Sequence, residues 1–295
     1  MIHKILVPSG IGDFSWTWSK LSTTGDQYHV EYVGGIPDRM TAFLKLLPKD
    51  KILSFKPNNN YGTKWNDAGE LVCVNYHPDK NPDIPKMQQY SDLKELGEIM
   101  FVESNTHLES GKRLEDWMCD DIPNTDFHYE LKGTVGKHSK GGYFIVNFSS
   151  YGTKKAWGYY NVPEASYLVR GIVLQTGWIP IFLGGEYDDF TSDIYKSMID
   201  DQVKAIDLVG RTPSMETVIA LIQQSNLYFG ACSGLMVLSN ILRIPVCTYY
   251  PPFETPPGRH LSGTWHDPAI PYMPLFWEGY IEDQRKISKF LDECR

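Results

Sequence analysis

The sequence holds no run of about 18 consecutive apolar residues, so no membrane-spanning helix is expected. The apolar segment at residues 4–7 is too short for a signal peptide, and the expectation is a soluble, cytoplasmic protein. Cysteine is sparse. Cys73, Cys119, Cys232, Cys247 and Cys294 are scattered, odd in number and without a CxxC pair. That argues against a disulfide framework and against a zinc site, and it fits reduced thiols. The eight histidines form no HExxH motif. There is no GxxxxGK(S/T) loop for a P-loop nucleotidase, and Gly10 and Gly12 lack the third glycine of a dinucleotide fingerprint. Positive charge is in deficit, 28 Lys and Arg against 36 Asp and Glu, for a net charge of −8. Such a chain has no general attraction for a nucleic-acid backbone. The adjacent acids Asp120 and Asp121, and Asp188 and Asp189, read as solvated turns, and neither a metal nor a resident cofactor is expected.

What remains is an ordinary globular composition: 42% hydrophobic and 22% charged residues over 295 positions, enough for two α/β domains. Aromatic residues reach 13%, which serves core filling or the binding of sugars and flat rings.

The chain opens with a strand at 4–7, a turn of Pro8, Ser9, Gly10, Ile11, Gly12 and Asp13, and a helix over 14–21. A strand at 28–33 ends at Gly34 and Gly35, and a helix over 39–47 is closed by Pro48. This is the opening of a doubly wound α/β unit. Residues 58–89 read as loop with one strand at 70–76. A helix is expected at 107–118 and an extended segment at 126–131. Four glycines with lysines and a histidine make 133–142 the linker.

The pattern then restarts. Strands are expected at 143–148, 178–183, 206–209, 227–230 and 244–249, and helices at 163–176, 191–199, 215–224 and 235–242. Alternation of this kind calls for a parallel sheet covered on both faces. Residues 251–274 read as loop and 281–291 as a terminal helix. The domains are therefore 1–135 and 141–278, with 279–295 as a helix packing back towards the N-terminal domain.

The sharpest local signal is Ala231, Cys232, Ser233 and Gly234 between a strand and a helix. A small Ser-Gly turn at a helix start leaves amides pointing outward, which with the helix dipole makes an anion site. A tight turn that merely permits close packing fits the same residues. Asp13 has two readings as well, an N-cap of the helix at Phe14 or a carboxylate that takes a proton.

Several segments resemble the lipopolysaccharide heptosyltransferase family (ADP-heptose type). Gly210, Arg211, Thr212, Pro213, Ser214 and Met215, the following helix, and then Ala231 to Met236 are similar to its donor domain. Ser149 and Ser150 followed by Lys155, Ala156 and Trp157 resemble its Lys-x-Trp segment. Gly184, Gly185 and Glu186 resemble its acidic strand-end turn, and Gly12 and Asp13 its Gly-Asp turn. The resemblance spans residues 143–250 and, less fully, 1–50. It implies an α/β fold of two Rossmann-like doubly wound domains facing across a cleft, the GT-B type. It implies an inverting, metal-independent glycosyltransferase with a nucleoside-diphosphate sugar as donor. Asp13 would be the base, carried on the turn of Gly10 and Gly12. Ser149, Lys155, Glu186, Ser233, Gly234, Leu235 and Met236 would bind the donor. Cys232 and Val237 depart from the family, which has Asp and His there, both touching the donor. Arg39 and Arg259 are candidates for an acceptor phosphate, though ordinary surface arginines explain them better. The expected acceptor is a surface glycan, a lipid-linked glycan or a lipopolysaccharide-like molecule. A hydroxylated base of modified viral DNA is the alternative acceptor. A non-catalytic nucleotide-sugar-binding protein or a sugar-nucleotide epimerase would share the fold type.

Overall fold

The computed structural model describes residues 2–8, 10–12, 15, 26–33, 50–58, 61–65, 71–75, 93–96, 99–102, 142–148, 161–250, 270–276 and 279–294. The chain divides into two compact units, Met1–Thr125 with Ser262–Trp265, and Asp126–Leu261 with His266–Arg295. The linker expected at 133–142 therefore falls inside the second unit, whose boundary is at Asp126.

The first unit contains β1 (Ile2–Pro8), β2 (Gln27–Val33), β3 (Ile52–Pro57), β4 (Tyr61–Trp65), β5 (Leu71–Asn75), β6 (Leu93–Leu96) and β7 (Ile99–Val102). Five of these form a sheet of order β3-β2-β1-β7-β6. Pairing is parallel from β3 to β7, and β6 closes the edge antiparallel to β7. Strand β1 carries three consecutive buried residues, Ile5, Leu6 and Val7, as a strand covered on both faces must. The strands β4 and β5 form a separate antiparallel pair. The sequence pattern foresees β1, β2 and β5. It misses β3, β4 and β6, runs of four to six residues whose mixed polarity carries too little periodicity, and β7, whose four apolar residues are too short a run to tell strand from helix. The helices expected at 39–47 and 107–118, and the segment at 126–131, lie outside the described residues. Of the helix expected at 14–21, only Ser15 is described.

The second unit follows the expected plan closely. Its strands are β8 (Tyr143–Asn147), β9 (Ile179–Phe182), β10 (Ile206–Asp207), β11 (Tyr228–Ala231), β12 (Val246–Tyr249) and β13 (Tyr272–Leu275). All pair in parallel, in the order β10-β9-β8-β11-β12-β13. The helices are α1 (Val162–Thr176), α2 (Asp189–Asp200), α3 (Met215–Gln223), α4 (Gly234–Ile241) and α5 (Tyr280–Glu293). Local chemistry fixes their ends. Asn161 accepts from the Glu164 amide at 2.9 Å to start α1, Pro163 sits in its first turn, and Gly177 stops it in the left-handed conformation. Ser214 starts α3 by accepting from the Thr217 amide at 3.3 Å.

Alternation along the strands divides the core between two faces. Phe144, Val146, Phe182, Phe229, Cys247 and Tyr249 pack with Leu168 and Ile172 of α1, Ile194 and Met198 of α2, and Ile287, Phe290 and Leu291 of α5. The alternate residues turn towards α3 and α4, where the Tyr143 hydroxyl donates to the Leu221 carbonyl at 2.8 Å. The apolar face of α5 is thus committed to the second unit's own core, whereas the sequence reading directs this helix towards the first domain.

Strand β13 corrects the loop expected at 251–274. Pro274 argues against a strand, yet β13 is the sheet's edge. The carbonyls of Pro271 and Leu275 accept from Val246 and Tyr250 of the β12 segment, so the alternate Pro274 turns its nitrogen outward, where no N–H is needed.

Candidate functional site

In the second unit the chain steps from β8 to β9 to β10 on one side, then returns to place β11 on the other side of β8. Right-handed crossovers carry the helices of these two directions to opposite faces. In keeping with that, α1 packs against α2 and α5, and α3 packs against α4. A reversal of strand order of this kind, between β8 and β11, marks the usual ligand position in such sheets. The turn of Cys232, Ser233 and Gly234 follows β11 at this reversal. The first unit repeats the geometry. Its order reverses between β1 and β7, and the Gly10 to Gly12 turn follows β1 there. Gly10 is exposed, and a helical turn begins at Ile11, whose carbonyl accepts from the buried Ser15 hydroxyl at 2.6 Å.

Ser233 is the N-cap of α4 and has the extended backbone of a capping residue, yet its side chain makes no capping hydrogen bond. Its hydroxyl turns inward, 3.0 Å from the Tyr228 hydroxyl and 3.2 Å from Asn147 Oδ1. Asn147 ends β8 at 1% exposure and donates from Nδ2 to the Leu183 carbonyl at 2.8 Å and to the Asp188 carboxylate at 3.3 Å. Asp188 in turn accepts from the Gly185 amide at 2.8 Å. A buried polar network thus runs from the turn holding Glu186 to the start of α4. Sequence reasoning missed Asn147 and Tyr228, and it read Asp188 with Asp189 as a solvated pair. Asp189 is exposed, but Asp188 is buried because its carboxylate is needed by Asn147 and Gly185.

Glu186 is exposed at the turn after β9, and among the described residues its carboxylate takes no hydrogen bond. Gly210 has φ +65°, and a Cβ there would lie 2.9 Å from Glu186 Cγ, so this glycine lets the two turns close on each other. Arg211 reaches back to Asp207 at 3.4 Å. Gly234 and Leu235 are half-buried, whereas Met236 and Val237 are buried at 2% and 3% exposure, both facing the interior. Burial pushes the Cys232 thiol up to about 12, only partly offset by its hydrogen bond with Tyr250. The position is therefore neutral. Beyond it, the Tyr250 hydroxyl meets that of Tyr272, and burial raises both phenols. Asp13, Arg39, Ser149, Lys155 and Arg259 lie outside the described residues. Among the described residues, no group of three or more His, Cys, Asp or Glu is placed to hold a metal ion, and no helix is long and apolar enough to cross a membrane.

No family model matches the sequence, and no curated protein does. Solved structures do match. The E. coli ADP-heptose lipopolysaccharide heptosyltransferase II superposes with a TM-score of 0.57 at 12% identity, covering 100% of this chain and 98% of that one. The E. coli heptosyltransferase WaaC with ADP gives a TM-score of 0.57 at 12% identity, with 100% of both chains covered. A glycosyl transferase family 9 protein from Veillonella parvula gives 0.54 at 15% identity, covering 99% and 89%. The likeness is one of fold. It bears out the α/β, GT-B type architecture to which residues 143–250 pointed.

Proposed function

We propose that the chain is a glycosyltransferase that moves a sugar from a nucleoside diphosphate to an acceptor hydroxyl, with inversion and without a metal ion. The carrying observation is the start of α4: it stands at the strand-order reversal between β8 and β11, and its N-cap residue Ser233 makes no side-chain capping hydrogen bond to the first turn. Such amides and the helix dipole favour a diphosphate. The ADP-heptose and ADP in the names of the E. coli heptosyltransferases support a nucleoside diphosphate as the group taken.

In this reading the second unit holds the donor and the first unit the acceptor. Asp13 accepts the proton of the acceptor hydroxyl as its oxygen attacks the anomeric carbon. The bond from that carbon to the diphosphate breaks, and the electron pair leaves with the diphosphate. Lys155 and the amides beyond Ser233 stabilise the charge growing there. Glu186 accepts hydrogen bonds from the nucleoside, and Ser149 and Leu235 line the donor. Met236 supports the turn from within, since its side chain is buried. The acceptor class favoured is a surface or lipopolysaccharide-like glycan, with a hydroxylated DNA base as its rival.

A second reading rests on Cys232 and Val237. One is a neutral thiol and the other a buried aliphatic, where the resembling family has charged or titratable groups that touch the donor. That favours a protein that binds a nucleotide sugar without turning it over. Calorimetric titration with ADP, UDP, GDP and pyrophosphate, with transfer assays on the chain and on Asp13→Asn, separates the two. The enzyme reading expects binding in both proteins and transfer reduced about 100-fold or more in the variant. Near-normal transfer by Asp13→Asn removes the base assignment. Binding with no transfer on any acceptor leaves the second reading.

A further inference from the structure

The buried network at the end of β8 and β11 has a donor inventory that fixes its sense. Asn147 Nδ2 faces only acceptors, the Leu183 carbonyl and the Asp188 carboxylate, so its Oδ1 must face Ser233 and Tyr228. The single proton of Tyr228 goes to the Ala231 carbonyl, its shortest contact at 2.7 Å. That leaves the phenol oxygen as an acceptor at 3.0 Å from Ser233 Oγ. The Ser233 proton is therefore offered two acceptors, Asn147 Oδ1 and Tyr228 Oη, both on the inner side of the turn. A serine with extended backbone at an N-cap ordinarily lets Oγ accept from the first turn of its own helix. Ser214 does so at α3, with φ −158° and ψ 166°; Ser233, with φ −142° and ψ 173°, does not. Backbone conformation does not explain the difference. The two inward acceptors do.

We propose that Asn147 and Tyr228 are positioning residues that hold the Ser233 hydroxyl away from its own helix, keeping the first-turn amides of α4 open to the donor's diphosphate. The inference rests on the donor-site reading above and deepens it. Neither residue touches the donor; both act through Ser233. Asn147 also bonds Asp188, two residues after Glu186, so one side chain sets the spacing of the two donor-facing turns.

The test measures amide hydrogen exchange at Leu235 and Met236 in the full chain, together with calorimetric binding of inorganic pyrophosphate. In the paired variant Asn147→Ala with Tyr228→Phe, the hydroxyl swings onto those amides. Their exchange is expected to slow about fivefold and pyrophosphate binding to weaken about fivefold, the worth of one cap. Adding Ser233→Ala should reverse both changes, a rescue that a merely structural network would not produce. Unchanged exchange in the folded pair, or no reversal on adding Ser233→Ala, overturns the proposal. Should the pair fail to fold, Ser233→Ala alone decides. Exchange at the two amides staying within about twofold supports a hydroxyl already held away, and a rise of about fivefold shows it capping and overturns the idea. If the unsubstituted chain binds neither pyrophosphate nor any nucleoside diphosphate, the donor-site reading falls, while the exchange result still decides where the hydroxyl sits.

Discussion

Gly230 and Asn147 face one another across β11 and β8 so closely that a Cβ on Gly230 would lie 1.8 Å from the Asn147 carbonyl oxygen. Gly230 also has φ +155°, which side chains rarely adopt. Gly230→Ala must push apart the two central strands at the strand-order reversal. We expect a loss of about 3 kcal/mol or more and a fall of roughly 10 °C in Tm, read by thermal unfolding. A variant as stable as the parent would refute the close approach.

Glu186 carries an open carboxylate beside the network that leads to Ser233. Glu186→Ala should weaken nucleoside-diphosphate binding about tenfold, the loss of one hydrogen bond to a charged group. Inorganic pyrophosphate, which has no ribose, should lose much less. Equal losses for both ligands in calorimetry would deny Glu186 its place at the nucleoside.

On the proposed mechanism Lys155→Ala should lower kcat by about 100-fold while changing the donor's KM far less, because the charge assigned to it there grows as the glycosidic bond breaks. Steady-state kinetics on a transfer reaction decide. A rise in KM alone, with kcat intact, would make Lys155 a binding group only.

The half-buried thiols Cys232 and Cys294 should make stability fall in alkali. Burial raises Cys232 to about 12 and, helped by the charge of Glu293, Cys294 to about 11, against an ordinary 9.0. The folded chain keeps these protons after the unfolded chain has released them. The stabilisation is therefore whole below pH 9 and is lost as pH rises towards 11 and 12. Unfolding midpoints measured from pH 8 to 11 should decline, and Cys232→Ser should decline less steeply. Parallel slopes would contradict the shift at Cys232.

The second unit is legible because a parallel sheet buried on both faces writes itself as apolar runs: Tyr143 to Asn147, Ile179 to Phe182 and Val246 to Tyr249. Its helix ends are equally plain in Asn161 with Pro163, Gly177 and Ser214. The strands of the first unit are harder. The sequence LKEL of β6 alternates too briefly to show a period, and its partner IMFV of β7 lacks the regular strand-helix alternation that marks the strands of the second unit. That Ser233 and Gly234 start a helix can be read directly, since this much is local, but the inward turn of the Ser233 hydroxyl cannot. Asn147 cannot, because its role depends on Asp188 and Ser233, 41 and 86 positions away. An asparagine closing a strand looks like an ordinary terminus until those partners are known. Asp188 misleads for the same reason.

The floor at the seam of β8 and β11 is made of main chain over three locked side chains, so little of it depends on the identity of the residues around the rim. Such a scaffold suits retargeting. On the donor-site reading proposed above, exchanging the segment after β8 is the direct route to a different sugar, whereas the segment after β9 has to keep Asp188, which holds Asn147.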